Sequence, residues 1–139
     1  MVKFTSYLLE IENNKERRIN IGCLGKLNFK KGFYIYVGSA KKNLLSRIRR
    51  HFSKEKKIFW HIDYFLKEEG VEIKKVWKAS LEECKIARVL SLSGRVIKNF
   101  GSSDCKCGGH LFYVDCKDFE IFFKKLNVDE VYPGKLIFK

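Results

Sequence analysis

The run Gly32–Phe52, GFYIYVGSAKKNLLSRIRRHF, ends a strand-like segment with Tyr34, Tyr36 and Gly38, then places Arg47 and His51 four residues apart. Residues four apart share one face of a helix. An arginine grips a phosphate with two parallel N–H···O bonds, and a histidine donates to a phosphate oxygen or carries a proton near neutral pH. Strand side chains alternate, so Phe33, Ile35 and Val37 share one face and Tyr34 and Tyr36 the other. The apolar three are expected in the core, the tyrosines outward or in a cleft, and Gly38 where a ligand or backbone comes close. Surface tyrosines beside a solvated basic helix would give the same pattern. The other reading is a site that holds a phosphate and cuts beside it.

The elements that must position them are legible from periodicity. Phe4–Ile11 alternates as a strand and is followed by a turn at NNK; RRINIGCLG reads as a second short strand ending at glycines; GFYIYVGS, aromatic and β-branched, is a third. Asn43 is an N-cap signal for the helix LLSRIRRHF, with Leu44, Leu45, Ile48 and Phe52 as its buried stripe. IFWHIDYFLKEEG reads as a second helix closed by Gly70. VEIKKVWKAS reads as a strand with Val71, Ile73 and Val76 inward. Ser80 with Glu83 fits a capping box for a third helix. GRVIKNFGSSDCKCGGH is expected to be loop, LFYVDC a late strand and DFEIFFKKL a last helix. The expected fold is a small α/β (α+β) domain, a mixed sheet of about three central strands flanked by helices.

The 139 residues suit one domain spanning 1–139. Lys plus Arg number 29 against 16 Asp plus Glu, a net charge of +13. That excess points to a polyanion partner, nucleic acid before a membrane surface, with a lysine-rich solvated surface as the bland alternative. No apolar run approaches the ~18 residues of a membrane helix, and the start has no signal-peptide pattern, so a cytoplasmic protein is expected. Five cysteines without a secretion signal argue against a disulfide scaffold.

YVGSA…LLSRIRRH resembles the second motif and following helix of the GIY-YIG nuclease superfamily. Tyr36, Val37 and Gly38 match the second tripeptide, Arg47 the helix arginine and His51 the histidine one turn later. Of the first tripeptide, Thr5–Tyr7 keeps only the tyrosine, and the separation between the two tripeptides is longer than usual. GSA after YV, then HIDYFL, EC and GSSDCKCGGHLFY are similar to the small stand-alone Uri-type branch, so the resemblance spans nearly the whole chain. It implies a GIY-YIG-like fold and structure-selective phosphodiester hydrolysis in DNA. It also implies Mg²⁺ or Mn²⁺ on a glutamate of a later helix, matched by Glu83 of EEC. In this scheme Arg47 neutralises charge on the phosphoryl oxygens, while Tyr7, Tyr36 or His51 handles the attacking water. Glu83 as a mere partner in the capping box is the alternative.

Gly38, Ser39, Lys41, Lys42, Arg50 and His61 are candidate nucleic-acid contacts, although Arg49 and Arg50 also read as plain surface charge and His61 as a half-buried, hydrogen-bonded core residue. Cys105, Cys107 and His110 in DCKCGGH are three soft ligands compatible with structural Zn²⁺, with Cys84 as a fourth; buried thiols are the alternative. The other functional classes are a non-catalytic nucleic-acid-binding module of the same fold and a zinc-stabilised domain for protein contact.

Overall fold

A computed structural model describes residues 5–39, 43–54, 57–58, 60–92, 94–97, 100, 110–114 and 128–132. Its main sheet has six strands in the order β6-β7-β4-β1-β5-β8: β1 (Ser6–Asn13), β4 (Gly32–Ser39), β5 (Val71–Ala79), β6 (Arg95–Ile97), β7 (Leu111–Val114) and β8 (Val128–Tyr132). Between β1 and β4 the chain makes a separate two-stranded ribbon, β2 (Arg17–Asn20) and β3 (Lys26–Phe29), joined through a short 3₁₀ turn at Gly22–Leu24. Three α-helices are described: α1 (Leu44–Phe52), α2 (His61–Leu66) and α3 (Glu83–Leu90). The α+β class is as expected, but the main sheet has twice the strands, and each strand pairing is antiparallel rather than mixed. The extra strands β3, β6 and β8 are short, polar or outside the aromatic runs, so alternation did not mark them.

Both faces of the sheet are buried. On one, Tyr7, Leu9 and Ile11 of β1 and Tyr34 and Tyr36 of β4 join Ile48 of α1, Ile62, Phe65 and Leu66 of α2, and Ile19 and Phe29 of the ribbon. On the other, Leu8, Ile35, Val37 and Trp77 pack against Ile86, Ala87 and Leu90 of α3. Tyr34 and Tyr36 do share a face, but that face is core rather than surface. Tyr34 is 1 % exposed, and its hydroxyl donates to the Lys30 carbonyl at 2.7 Å. Burial, with Tyr113 beside it, pushes that hydroxyl well above its ordinary pKa.

Strand β5 shows how one irregularity sets a face. Its register against β1 shifts between Glu10 and Ile11, with Ile11 opposite Ile73 and Glu10 opposite Lys75. Lys74 is the extra residue of a bulge, which moves Val76 onto the face of Val71 and Ile73 although their spacing is odd.

The helices start and pack differently from their sequence signals. Asn43 lies in the left-handed region at φ 60° with no side-chain cap; its carbonyl instead accepts the Arg47 N–H at 3.1 Å. Inward positions on α1 are Leu44, Ile48, His51 and Phe52, an i, i+4, i+7, i+8 stripe. Leu45 falls off that stripe and is 49 % exposed. Helix α2 is shorter than its apolar run. Helix α3 has Glu82 as N-cap with no side-chain cap bond, so the Ser80–Glu83 capping box does not form. The DFEIFFKKL helix lies outside the described residues.

A clamp locks α1 to α2. Arg50 donates from both terminal nitrogens to Asp63, at 2.9 Å each, and to the Lys57 carbonyl at 2.7 Å. Asp63 is fully buried and also accepts the Trp60 N–H at 3.0 Å, which caps α2. At the other end of α2, Lys54 donates to the carbonyls of Leu66, Glu68 and Val71. Burial pulls its ammonium below the ordinary lysine pKa. Removing one partner of a buried pair costs about 3 kcal/mol or more, so Asp63→Ala should lower unfolding stability by that amount. Lys74→Ala, at the exposed Glu12 and Glu72 pairs, should cost less than about 1 kcal/mol. Urea denaturation of both variants checks the contrast; equal losses would deny the clamp its role.

Candidate active site

Tyr7 pairs with Gly38 across β1 and β4, and its ring lies over the glycine. A Cβ built at residue 38 would overlap the Tyr7 Cζ and hydroxyl oxygen and stand 2.7 Å from Cε1. The missing side chain of Gly38 is therefore the space that the Tyr7 ring occupies. So placed, the Tyr7 hydroxyl lies 2.6 Å from Nε2 of His51, and both residues are 2 % exposed. With the imidazole neutral and its proton on Nδ1, Tyr7 donates and His51 accepts. The Tyr36 ring closes the group, 6.4 Å from Tyr7 and 5.9 Å from His51 between centroids.

The other side of His51 is made by Trp60, at 5.7 Å. Trp60 carries two guanidinium groups, Arg50 at 4.4 Å and Arg47 at 5.3 Å from its ring centre. Arg50 is committed to Asp63. Arg47 is exposed, and its guanidinium donates one bond to the Ser39 carbonyl at 2.9 Å; that side chain makes no other hydrogen bond among the described residues. It is thus oriented by a carbonyl and an aromatic face while keeping donors for an anion. His51 also lines a cavity of about 210 Å³ with Phe52, Lys54, Leu66, Val71, Glu72 and Ile73, ample for several waters.

The structure brings Tyr7, Tyr36, Gly38, Ser39, Arg47 and His51 to one end of the sheet. That edge is set by the register: Ser6 pairs with Ser39 on one side and with Ala79 on the other. Glu83 opens α3 four residues after Ala79, so its backbone starts from the same edge. Arg50 is held in the half-buried clamp, where three of its N–H groups donate to Asp63 and the Lys57 carbonyl. His61 sits apart: it is half-buried, its Nε2 is 3.9 Å from Cys23 Sγ, and its ring packs edge-on to Phe100 at 5.7 Å. Lys41, Lys42, Cys105 and Cys107 lie outside the described residues. His110 is buried at the start of β7, and among the described residues no group of three His, Cys, Asp or Glu could hold a metal.

Three residues were missed. Trp60 and Asp63 surround the site from α2, and Lys78 pairs with Tyr7 from β5. Asp63 had a signal, an acid at the third position of a helix. Lys78 had one too, a lysine with the parity of inward Val76. Trp60 had none beyond its position before the helix.

Residues 6–129 match the sequence model of a family described as a domain of unknown function, DUF123. No curated protein and no solved structure matches the chain.

Gly38→Ala should push the Tyr7 ring off its seat and break the Tyr7–His51 bond. Because the ring is walled in by Tyr36 and His51, the overlap should cost about 1–3 kcal/mol, read by thermal unfolding, with a changed His51 imidazole NMR signal. An unchanged signal would place the Tyr7 ring elsewhere. The other two histidines set a pH dependence. Burial lowers the pKa of His61 and of His110 below the usual 6.5. Below that value the unfolded chain binds more protons than the folded one, so stability is full above about pH 6.5 and falls as the pH drops toward the folded values. Urea titrations between pH 5 and 7.5 should show this slope, flattened in His61→Asn/His110→Asn.

Proposed function

Because the chain belongs to the DUF123 family, whose description assigns no chemistry, its function has to be read from its own side chains, and we propose that it is a metal-dependent endonuclease of GIY-YIG type that hydrolyses phosphodiester bonds in DNA in the cytoplasm. The observation that carries this reading is the buried Tyr7–His51 hydrogen bond of 2.6 Å at the sheet edge that also presents Arg47. A structural tyrosine–histidine pair needs no oriented arginine beside it, and a plain DNA-binding surface needs no buried phenol–imidazole pair. The net charge of +13 supplies the attraction to a polyanion.

The residues divide the work as follows. Arg47 donates to the non-bridging phosphoryl oxygens and offsets the charge that grows there. Tyr7 takes the proton of the attacking water while its own phenolic proton passes to Nε2 of His51, and as the new P–O bond forms the bond to the opposite ester oxygen breaks, that oxygen leaving as an alcohol with a proton from solvent. The cavity beside His51 gives the phenolic proton a way to solvent. Tyr36 and Trp60 hold the imidazole in line with the Tyr7 hydroxyl. A free phenol has a pKa of ~10, and the imidazole acceptor is what makes Tyr7 a usable base near neutral pH. The backbone of Glu83 opens α3 from that edge, and a single carboxylate joined by phosphate oxygens and waters is the sparse ligand set that Mg²⁺ or Mn²⁺ accepts. When bound, the cation supplies Lewis-acid polarisation of the phosphate, and Glu83 would hold it.

The test is a panel of labelled duplex, nicked, branched and single-stranded DNAs with Mg²⁺ or Mn²⁺. Wild type should cut at least one. Arg47→Ala, Tyr7→Phe and Glu83→Gln should each lose ~10²-fold or more in rate while circular dichroism stays that of a folded protein. Tyr34→Phe should cut at the wild-type rate and lose only about 1 kcal/mol of stability with its bond to Lys30. A wild type that cuts nothing, or a folded Arg47→Ala that cuts normally, would sink the assignment.

A further inference from the structure

The β2–β3 ribbon is not part of the main sheet and takes no part in the chemistry above. Its register pairs Arg17 with Phe29, Arg18 with Asn28, Ile19 with Leu27 and Asn20 with Lys26. Residues directly opposite share a face. Ile19 and Phe29 are buried, with Leu27 packed beside them, so the ribbon's inner face belongs to the core. The outer face is Arg18 beside Asn28 and Asn20 beside Lys26, all four exposed. Among the described residues none of the four side chains makes a hydrogen bond or ion pair, and neither strand, RRIN or KLNF, contains an acid.

The ribbon is also held rigid. Asn13 donates to the carbonyls of Phe29 and Lys30, at 3.3 and 3.1 Å. Arg17 donates to the side-chain oxygens of Asn13 and Asn14, at 2.7 and 2.8 Å, and to the Glu69 carbonyl. At the far end the Ile21 N–H donates to the Gly25 carbonyl at 2.9 Å.

We propose that this outer face enters the major groove of duplex DNA and reads base edges, as the sequence-recognition element of the protein. Arginine and lysine suit the guanine O6 and N7 acceptors, asparagine suits adenine N6 and N7, and the groove, ~12 Å wide, admits a two-stranded ribbon. Four residues per strand span about 13 Å, the length of about four base pairs. Exposed Lys15, Lys30 and Lys31 at the ribbon's stem suit the flanking phosphates, which position without specifying. The deep, narrow major groove of duplex RNA would not admit the ribbon. A surface built for charge alone has no use for two uncommitted amides between its cations. The inference rests on DNA being the partner and is independent of cleavage.

The experiment is selection from a randomised duplex DNA library by the full chain in EDTA, where binding is read without cutting. Wild type should enrich a motif of about four base pairs, and methylation of guanine N7 within it should block binding. Asn20→Ala/Asn28→Ala, which leaves the charge unchanged, should lose about tenfold or more of the preference for adenine at its positions, with affinity for unselected duplex within about twofold. Lys15→Ala/Lys30→Ala should weaken all duplexes alike. No motif in the wild type, an unchanged motif in the asparagine variant, or equal binding to duplex RNA would overturn the ribbon's role. A motif without cleavage in Mg²⁺ would uphold it and sink the nuclease reading alone. Failure to bind any DNA, whether duplex, nicked, branched or single-stranded, would overturn both.

Discussion

The contact between the Tyr7 ring and the backbone of Gly38 is the constraint on which the site depends. Any side chain at position 38 would occupy the ring's volume. With that volume open, Tyr7 lies flat across the neighbouring strand, and its hydroxyl reaches a histidine on the helix above. Without it, the ring would have to rotate away from His51 and the two polar atoms would be buried without each other, which costs more than either burial alone. One absent methyl group therefore fixes the position of a phenol, an imidazole and the helix that carries the imidazole.

That helix is held by a second arrangement of the same kind, in which polar groups are buried only because each has a partner. Asp63 serves two masters: it caps its own helix at Trp60 and pairs with Arg50 on α1. Trp60 in turn lies between Arg50, Arg47 and His51. The interior pair and the exposed guanidinium thus share one aromatic plate. Orientation of Arg47 therefore follows from the Trp60 face, which the clamp holds in place, and from the Ser39 carbonyl at the end of β4.

Burial on both faces of the sheet has a further effect. In a sheet with a wet face, Tyr34 and Tyr36 would be equivalent surface residues. Here α1, α2 and the ribbon cover that face, so the two tyrosines two residues apart acquire different work. Tyr34 ties β4 to the loop before it through Lys30, and Tyr36 walls the Tyr7–His51 pair. The ribbon that completes this cover turns its other face, cationic and amide-bearing, to solvent.

The sequence by itself determined the central strand and the helix after it, with Gly32–Ser39 and Leu44–Phe52 bounded as expected, because alternation and a 3.6-residue stripe are local properties. It also determined which residue types at which spacing suit phosphate: Tyr36 with Gly38, Arg47 with His51. What it left open were matters of partnership. Arg47 and Arg50 are chemically identical and three residues apart, and only the position of α2 decided that one is half-buried on the carboxylate of Asp63 and the other is exposed. Likewise, Ser80 and Glu83 have the spacing of a capping box, but the path from β5 into α3 moved the helix start past Ser80. The bulge at Lys74 and the pairing of β3 with β2 depend on strands finding each other, and no window of sequence contains that information. Tyr7 looked like the remnant of a poorly kept motif; the register that sets it on Gly38, a property of the sheet alone, made it the centre of the site.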